Sequence, residues 1–307
     1  MAMTLNENAL EIARRMIKQR RELGIDSAEL GSGATVVDCG VNVAGSVEAG
    51  QMFSDICLGG LGDVKVSGSG FGALDLPVVR VKTNRPRLAC IGSQKAGWNV
   101  KVGDFFGMGS GPARMLLDSA PEGLREESKV GVIAVECSVL PGDDVAGYIA
   151  GKCGVDANNL TVLVVRTASI AGSVQVSARM VETALFKMDH LGISADAISG
   201  EGIAPIAPLV GGDNRMMGVE NDMIIYGSSV ELTVAGDVDV AAIPSVSSSE
   251  YGVPFGEIFK RAGYDFYKID QGIFAPARVT VKNTVTGETT SAGEVNFEMV
   301  EKTLGSS

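Results

Sequence analysis

The stretch SVQVSARMVETALFKMDH (173–190) is the reading on which the fold of this chain turns. Apolar residues at Val174, Ala178, Val181, Leu185 and Met188 recur at helical spacing, which predicts one continuous helix with a packing stripe. Arg179 and Glu182 stand three residues apart at the edge of that stripe, close enough on a helix to pair. By spacing alone such a pair reads first as a surface ion pair, worth ~0–1 kcal/mol. Its setting says more. NLTVLVV (159–165) reads as a buried strand, and it feeds through the small-residue loop RTASIAG (166–172) straight into the helix. Loops held by a rigid strand and helix are where functional side chains concentrate.

Upstream, VGVIAVEC (130–137) is a second buried-type strand, joined to the first through the helical segment DDVAGYIAGKCG (143–154). Asn6 or Asn8 caps a first helix that Gly24 stops, ATVVDCGV (34–41) is strand-like, and residues 46–58 resume helical spacing. GGLGDVKVSG (59–68) and LPVVRVKT (76–83) read as two strands of a hairpin-like unit. Pro86 suits the first turn of a short helix in RPRLACIGSQKAGW (85–98), which presents Lys95 near its end. VGDFFGMGSGPAR (102–114) is the densest glycine stretch and reads as a loop exposing backbone N–H groups beside a helix start at Pro112. It matches neither the dinucleotide fingerprint nor a P-loop, and a tight turn between packed elements accounts for it as well.

Downstream, EGIAPIAPLVGGDN (201–214) reads as an ordered turn segment, MMGVENDMIIYG (216–227) as a helix and VELTV (230–234) as a strand. FGEIFKRAG (255–263) and YDFYKID (264–270) form the most aromatic part, and ARVTVKNTVTGETTSAG (277–293) is a hairpin turning at Thr286 and Gly287. Helices and strands interleave throughout, so the expected class is mixed α/β (α+β). At 307 residues the chain has room for two domains, placed here at 1–140 and 141–307, the second carrying the Arg179/Glu182 helix.

Hydrophobic residues make up 45% and charged residues 21%, a folded composition without an apolar run long enough to span a bilayer. The polar start MAMTLNENALEIARRM is no secretory signal, so a cytoplasmic protein is expected. A net charge of −11 argues against a general nucleic-acid binder. Cys39, Cys57, Cys90, Cys137 and Cys153 are scattered without metal-ligand spacing and read as free thiols. His190 is the single histidine, which removes His-rich zinc sites and leaves a carboxylate as the best candidate base.

Taken together, VVDCGV (36–41), EAGQMFSDICLGGL (48–61), LACIGSQKAGW (88–98), VGDFFGMGSGPAR, TASIAGSVQVSARMVETALFKM (167–188), GIAPIAPLVG (202–211), NDMIIYG (221–227) and YGVPFGEIFKRAGYDFYKID (251–270) resemble methenyltetrahydromethanopterin cyclohydrolase. That family of one-carbon enzymes occurs in methanogenic archaea and methylotrophic bacteria. The resemblance implies an unusual two-domain fold with a deep pocket between the domains, a homotrimer, and no metal or bound prosthetic group, tetrahydromethanopterin being the substrate carrier. It implies reversible hydrolysis of the methenyl form to the 5-formyl form. It also implies Glu182 as catalytic base, Arg179 beside it, and Lys95 in the same pocket. Gly107, Gly109, Ser110, Gly111 and Arg114 are expected to meet an anionic part of the carrier. Asn221 and Asp222 are candidates for a pterin edge, and a helix-terminal hydrogen-bond pair accounts for those two equally. A catalytically silent pterin-binding homologue is the competing reading. Keeping Arg179, Glu182 and Lys95 together argues against it, since a pure binder needs no base.

Overall fold

The computed structural model describes residues 3–68, 71–72, 74–193 and 195–305, with Tyr267 of the aromatic stretch described as backbone alone. Along the chain run α1 (Leu5–Lys18), α2 (Arg20–Leu23), β1 (Asp26–Glu29), β2 (Thr35–Asp38), α3 (Val47–Cys57), β3 (Asp63–Ser67), β4 (Val78–Thr83), a π-helix (Arg87–Gln94), β5 (Trp98–Val102), β6 (Phe105–Ser110), β7 (Gly131–Glu136), α4 (Asp143–Cys153) and β8 (Leu160–Val165). There follow α5 (Ile170–Ser177), α6 (Met180–His190), β9 (Asp196–Pro205), α7 (Asp213–Ile225), β10 (Ser229–Ala235), α8 (Phe255–Arg261), β11 (Arg278–Asn283), β12 (Thr289–Gly293) and α9 (Phe297–Gly305). The α/β class expected from the interleaved pattern is what the chain adopts.

The chain gathers into two compact units, each discontinuous in sequence: Met1–Gly62 with Leu88–Gln175, and Asp63–Arg87 with Val176–Ser307. The expected division at residue 140 falls between β7 and β8, which pair directly in one sheet.

The first unit is built on a six-stranded sheet in the order β1-β2-β8-β7-β6-β5. Its middle trio β2, β8 and β7 is parallel, and the outer strands are antiparallel to their neighbours. Every residue of β8 is buried, as a strand covered on both faces must be. Val162 and Val164 meet α4 through Val145, Ala146 and Ile149. Leu163 and Val165 point the other way, toward Ala13 and Met16 of α1 and Phe53 and Ile56 of α3. The alternation of a strand thus sorts one apolar run into two cores.

The cap of α1 is Thr4 rather than Asn6 or Asn8, closed by a reciprocal capping box with Glu7. Asn6 is fully buried instead: its Nδ2 donates to Pro112 O at 3.1 Å, and its Oδ1 accepts from Val132 N at 2.9 Å.

The second unit has its own six-stranded sheet, β12-β11-β10-β9-β4-β3. Among the described residues only β10 and β11 pair in parallel; β3 and β4 pair antiparallel as the hairpin-like reading expects, as do β11 and β12. The segment expected as a turn at 201–214 begins instead inside β9, a ten-residue strand. Gly200 and Gly202 make β9 look like a loop, yet they are where α6 lies on the strand. A Cβ at Gly200 would come within 2.7 Å of Val181 Cγ1, and one at Gly202 within 2.6 Å of Met180 Cγ.

Candidate active site

The single helix expected over 173–190 is two. The Arg179 amide donates to Val176 O at 3.0 Å, a tightened turn that interrupts the helical ladder, and Arg179 sits at φ −88°, ψ 1°. α6 then starts at Met180, so Glu182 falls in a first turn rather than mid-helix. That is where backbone N–H dipoles favour an acidic side chain. Arg179 Nη1 lies 3.3 Å from Glu182 Oε2, and the two side chains are only 13% and 9% exposed. The pair is therefore not the solvated surface bridge that its spacing alone favoured.

Several contacts fix this turn. Ser177 Oγ donates to Pro205 O at 2.8 Å, and Thr183 Oγ1 donates to Met180 O at 2.9 Å. Further along α6, Lys187 is buried and its Nζ donates to Gly272 O at 2.6 Å. Burial pulls the Lys187 pKa below its ordinary value, and the Asp270 carboxylate works the other way. His190 ends α6 beside Phe186, their rings stacked 6.5 Å apart.

Lys95 belongs to the first unit and is half-buried. The short helix expected before it is a π-helix, and the Lys95 amide donates to Cys90 O, five residues back, at 2.8 Å. Such wide turns are rare and recur at functional positions. This one is braced from outside. Arg114 Nη1 donates to Gly92 O at 3.1 Å, Gly111 N donates to Ser93 O at 2.8 Å, and Ser93 Oγ donates to Cys57 O at 2.7 Å.

The glycine stretch is not a loop. Gly107, Gly109 and Ser110 lie on β6, where Gly107 pairs with Val100 and Gly109 with Trp98. Those glycines admit close neighbours: a Cβ at Gly107 would meet Val135 Cγ1 at 2.5 Å. Gly111, at φ 91°, then turns the chain into a short 3-10 helix from Pro112 to Leu116 that carries Arg114. Asn221 and Asp222 lie together on α7, with Asn221 Nδ2 donating back to Met217 O at 2.8 Å. Asp222 is fully buried and accepts from Phe255 N at 2.9 Å and Thr303 Oγ1 at 2.6 Å, tying α7 to the start of α8 and to α9. Burial pushes its carboxyl up to about 7, against the pull of those two hydrogen bonds. The structure thus brings Arg179 and Glu182 together in the second unit, sets Lys95 on a braced turn of the first, and engages Arg114 and Asp222 inside the fold. Of the five cysteines, all free, only Cys137 is not buried. Among the described residues no helix is long and apolar enough to cross a membrane.

Two mixed sheets, the second unit carrying a buried Arg179–Glu182 pair at the start of α6, define an α/β protein. The chain belongs to the cyclohydrolase (MCH) family, whose model matches residues 4–304. It is 45% identical over 318 residues to the methenyltetrahydromethanopterin cyclohydrolase of Methanocaldococcus jannaschii, covering 99% of this chain and 98% of that one. Relatives of the same name from Methanococcus maripaludis and Methanothermobacter thermautotrophicus are 45% and 42% identical, each over 98% of this chain and at least 98% of their own length.

Proposed function

We propose that this protein interconverts 5,10-methenyltetrahydromethanopterin and water with 5-formyltetrahydromethanopterin. The observation that carries the reading is the buried Arg179–Glu182 pair at the start of α6, in a chain 45% identical to a cyclohydrolase of that name. The substrate's methenyl carbon lies between two nitrogens and bears amidinium charge, so water can attack it without a Lewis acid. The reading accordingly includes no metal and no bound prosthetic group.

Glu182 takes a proton from the attacking water as the C–O bond forms, a contribution of ~10²–10⁴-fold for a positioned base. Returned to the departing nitrogen, that proton lets the C–N bond break. The hydroxyl of the adduct loses its own proton as it becomes the formyl oxygen, so one proton is released overall. Arg179 orients Glu182 and balances a carboxylate that would otherwise stabilise the cationic ground state. The family resemblance gives Lys95 the role of holding the water or the developing oxygen, or of binding the substrate. Gly111 and Arg114 brace the Lys95 turn through Ser93 O and Gly92 O, Gly107, Gly109 and Ser110 belong to the strand that leads to them, and Asp222, with Asn221, is a strut of the second unit. The family likeness also supports a cytoplasmic homotrimer, which light scattering on the purified protein tests.

The experiment is the loss of the methenyl chromophore on adding protein to the substrate, run beside Glu182→Gln. Fast hydration by the wild type and a ~10²–10⁴-fold slower variant that still binds is the expected result. Binding without turnover in the wild type would overturn the enzyme reading, and an equally fast variant would overturn Glu182 as base.

A further inference from the structure

The sheet of the first unit has a topological switch point. β7 leads into α4, which covers one face, whereas β8 leads into α5, whose Ala171 packs on the other. Adjacent parallel strands whose connections leave in opposite directions open a crevice at their carboxyl ends, and ligands of open α/β sheets bind there. Glu136 ends β7 at that place and stays half-buried.

Its carboxylate is held, not loose. Thr167, in the loop after β8, donates through Oγ1 to Glu136 Oε1 at 2.6 Å. Gln175 of α5 donates through Nε2 to Glu136 Oε2 at 2.8 Å, and both donors are buried. An ionised carboxylate accepts about four hydrogen bonds, two on each oxygen. Thr167 and Gln175 use one on each, so each oxygen keeps capacity for one further hydrogen bond.

The neighbouring carboxylate has no such capacity on one oxygen. Asp38, at the end of β2, accepts Gly40 N at 3.0 Å and Val41 N at 2.7 Å on Oδ1, and Asn42 N at 2.9 Å on Oδ2. The loop it organises is pressed against the one after β8, since a Cβ at Gly40 would sit 2.7 Å from Ser169 Oγ. The environment at this edge is negative. Burial first, and then the Glu136 and Asp38 carboxylates, push the Cys137 thiol up to about 12, while a hydrogen bond to Val139 pulls against them.

We propose that the carboxyl ends of β7 and β8 form a binding subsite in which Glu136 accepts the paired N–H groups of the substrate's 2-amino-4-oxo-pyrimidine edge. The ring N–H and the exocyclic amino group of that edge point the same way, spaced for the two oxygens of one carboxylate. Glu136 binds the ring, and Thr167 and Gln175 are positioning residues that set the plane of its carboxylate. The identity of the ring rests on the cyclohydrolase reading; the demand for two adjacent donors does not.

The test compares a simple 2-amino-4-oxo-tetrahydropterin with its 2-desamino counterpart, titrated by pterin fluorescence into wild type, Glu136→Gln and Glu136→Asp. The wild type should favour the amino compound by ~10–100-fold, as hydrogen bonds to a charged group imply. Glu136→Gln should lose that preference to within about threefold while melting as a folded protein, and Glu136→Asp should fall between. With the methenyl substrate the loss should appear in KM more than in kcat. An unchanged preference in Glu136→Gln overturns the subsite, and so does a wild type indifferent to the amino group. A wild type that discriminates the two pterins yet never turns over the methenyl compound would overturn the cyclohydrolase reading and leave the subsite standing. Should Glu136→Gln not fold, Glu136→Asp decides: a preference equal to that of the wild type overturns the proposal.

Discussion

Removing Arg179 and removing the whole Arg179–Glu182 pair are physically different operations. Arg179→Met strands a carboxylate that is 9% exposed, and breaking a buried pair this way costs ~3–5 kcal/mol. Replacing both, as Arg179→Met with Glu182→Leu, should recover most of that stability while abolishing turnover, because apolar residues of similar volume often replace a buried pair at little cost. Denaturant titration of the two variants checks the order. Asp222 gives the residue scale a second prediction. Its folded pKa of about 7 stands above the ordinary 3.8, so between those values the folded state binds more protons than the unfolded one. Asp222 therefore makes stability fall as pH rises from about 4 to about 7, and Asp222→Asn should flatten the midpoint over that window. A midpoint that falls equally in both proteins would sink the idea. The pair Arg179–Glu182 was legible in the sequence because both partners lie within one turn. What Asp222 does was not, since its partners Phe255 and Thr303 lie 33 and 81 residues away. Arg114 is a similar case: the bond from its guanidinium to Gly92 O, 22 residues upstream, has no local signal in the sequence.

At the level of elements, local pattern located most helices and strands and missed those that depend on a neighbour. The β3–β4 and β11–β12 pairs were readable because alternation and turn residues are local signals. β9 was not, because Gly200, Gly202 and Pro205 punctuate it like a loop. β6 hid behind its glycines for the same reason, each glycine marking a close contact with an adjoining strand. The break between α5 and α6 left no apolar signature either, since the stripe of Val174, Ala178 and Val181 runs across it. Gly202 then makes a specific prediction. Gly202→Ala drives a methyl group to 2.6 Å from Met180 Cγ, at the first residue of α6. Overpacking of this kind costs ~1–3 kcal/mol. Because Met180 sits two residues before Glu182, the strain should also lower turnover. A variant with wild-type stability and turnover would show that α6 is not seated by its packing on β9.

For the whole molecule, sequence order and spatial order part company. The expected boundary at 140 followed a change in element pattern, which is a statement about neighbours along the chain. The first unit is instead assembled from Met1–Gly62 and Leu88–Gln175, with the β3–β4 hairpin between them belonging to the second. Such a return of the chain is invisible to any local window, because nothing in residues 63–87 announces which sheet the strands will join. The consequence can be tested with fragments. A piece ending at 140 keeps β1, β2, β5, β6 and β7 but loses β8, the strand that pairs with both β2 and β7. It also loses α4, whose Val145, Ala146 and Ile149 cover one face of the sheet. Without β8, β2 and β7 face each other across a missing strand with their backbone groups unpaired, and unpaired strand edges favour association over folding. Residues 1–140 expressed alone should therefore give no cooperative melting transition by circular dichroism and no dispersed amide spectrum. Co-expression with 141–307 should restore the transition, since β8 and α4 are then supplied in trans. A cooperatively folded 1–140 fragment would mean that the sheet does not need its central strand, and that the boundary read from the sequence is a true domain limit.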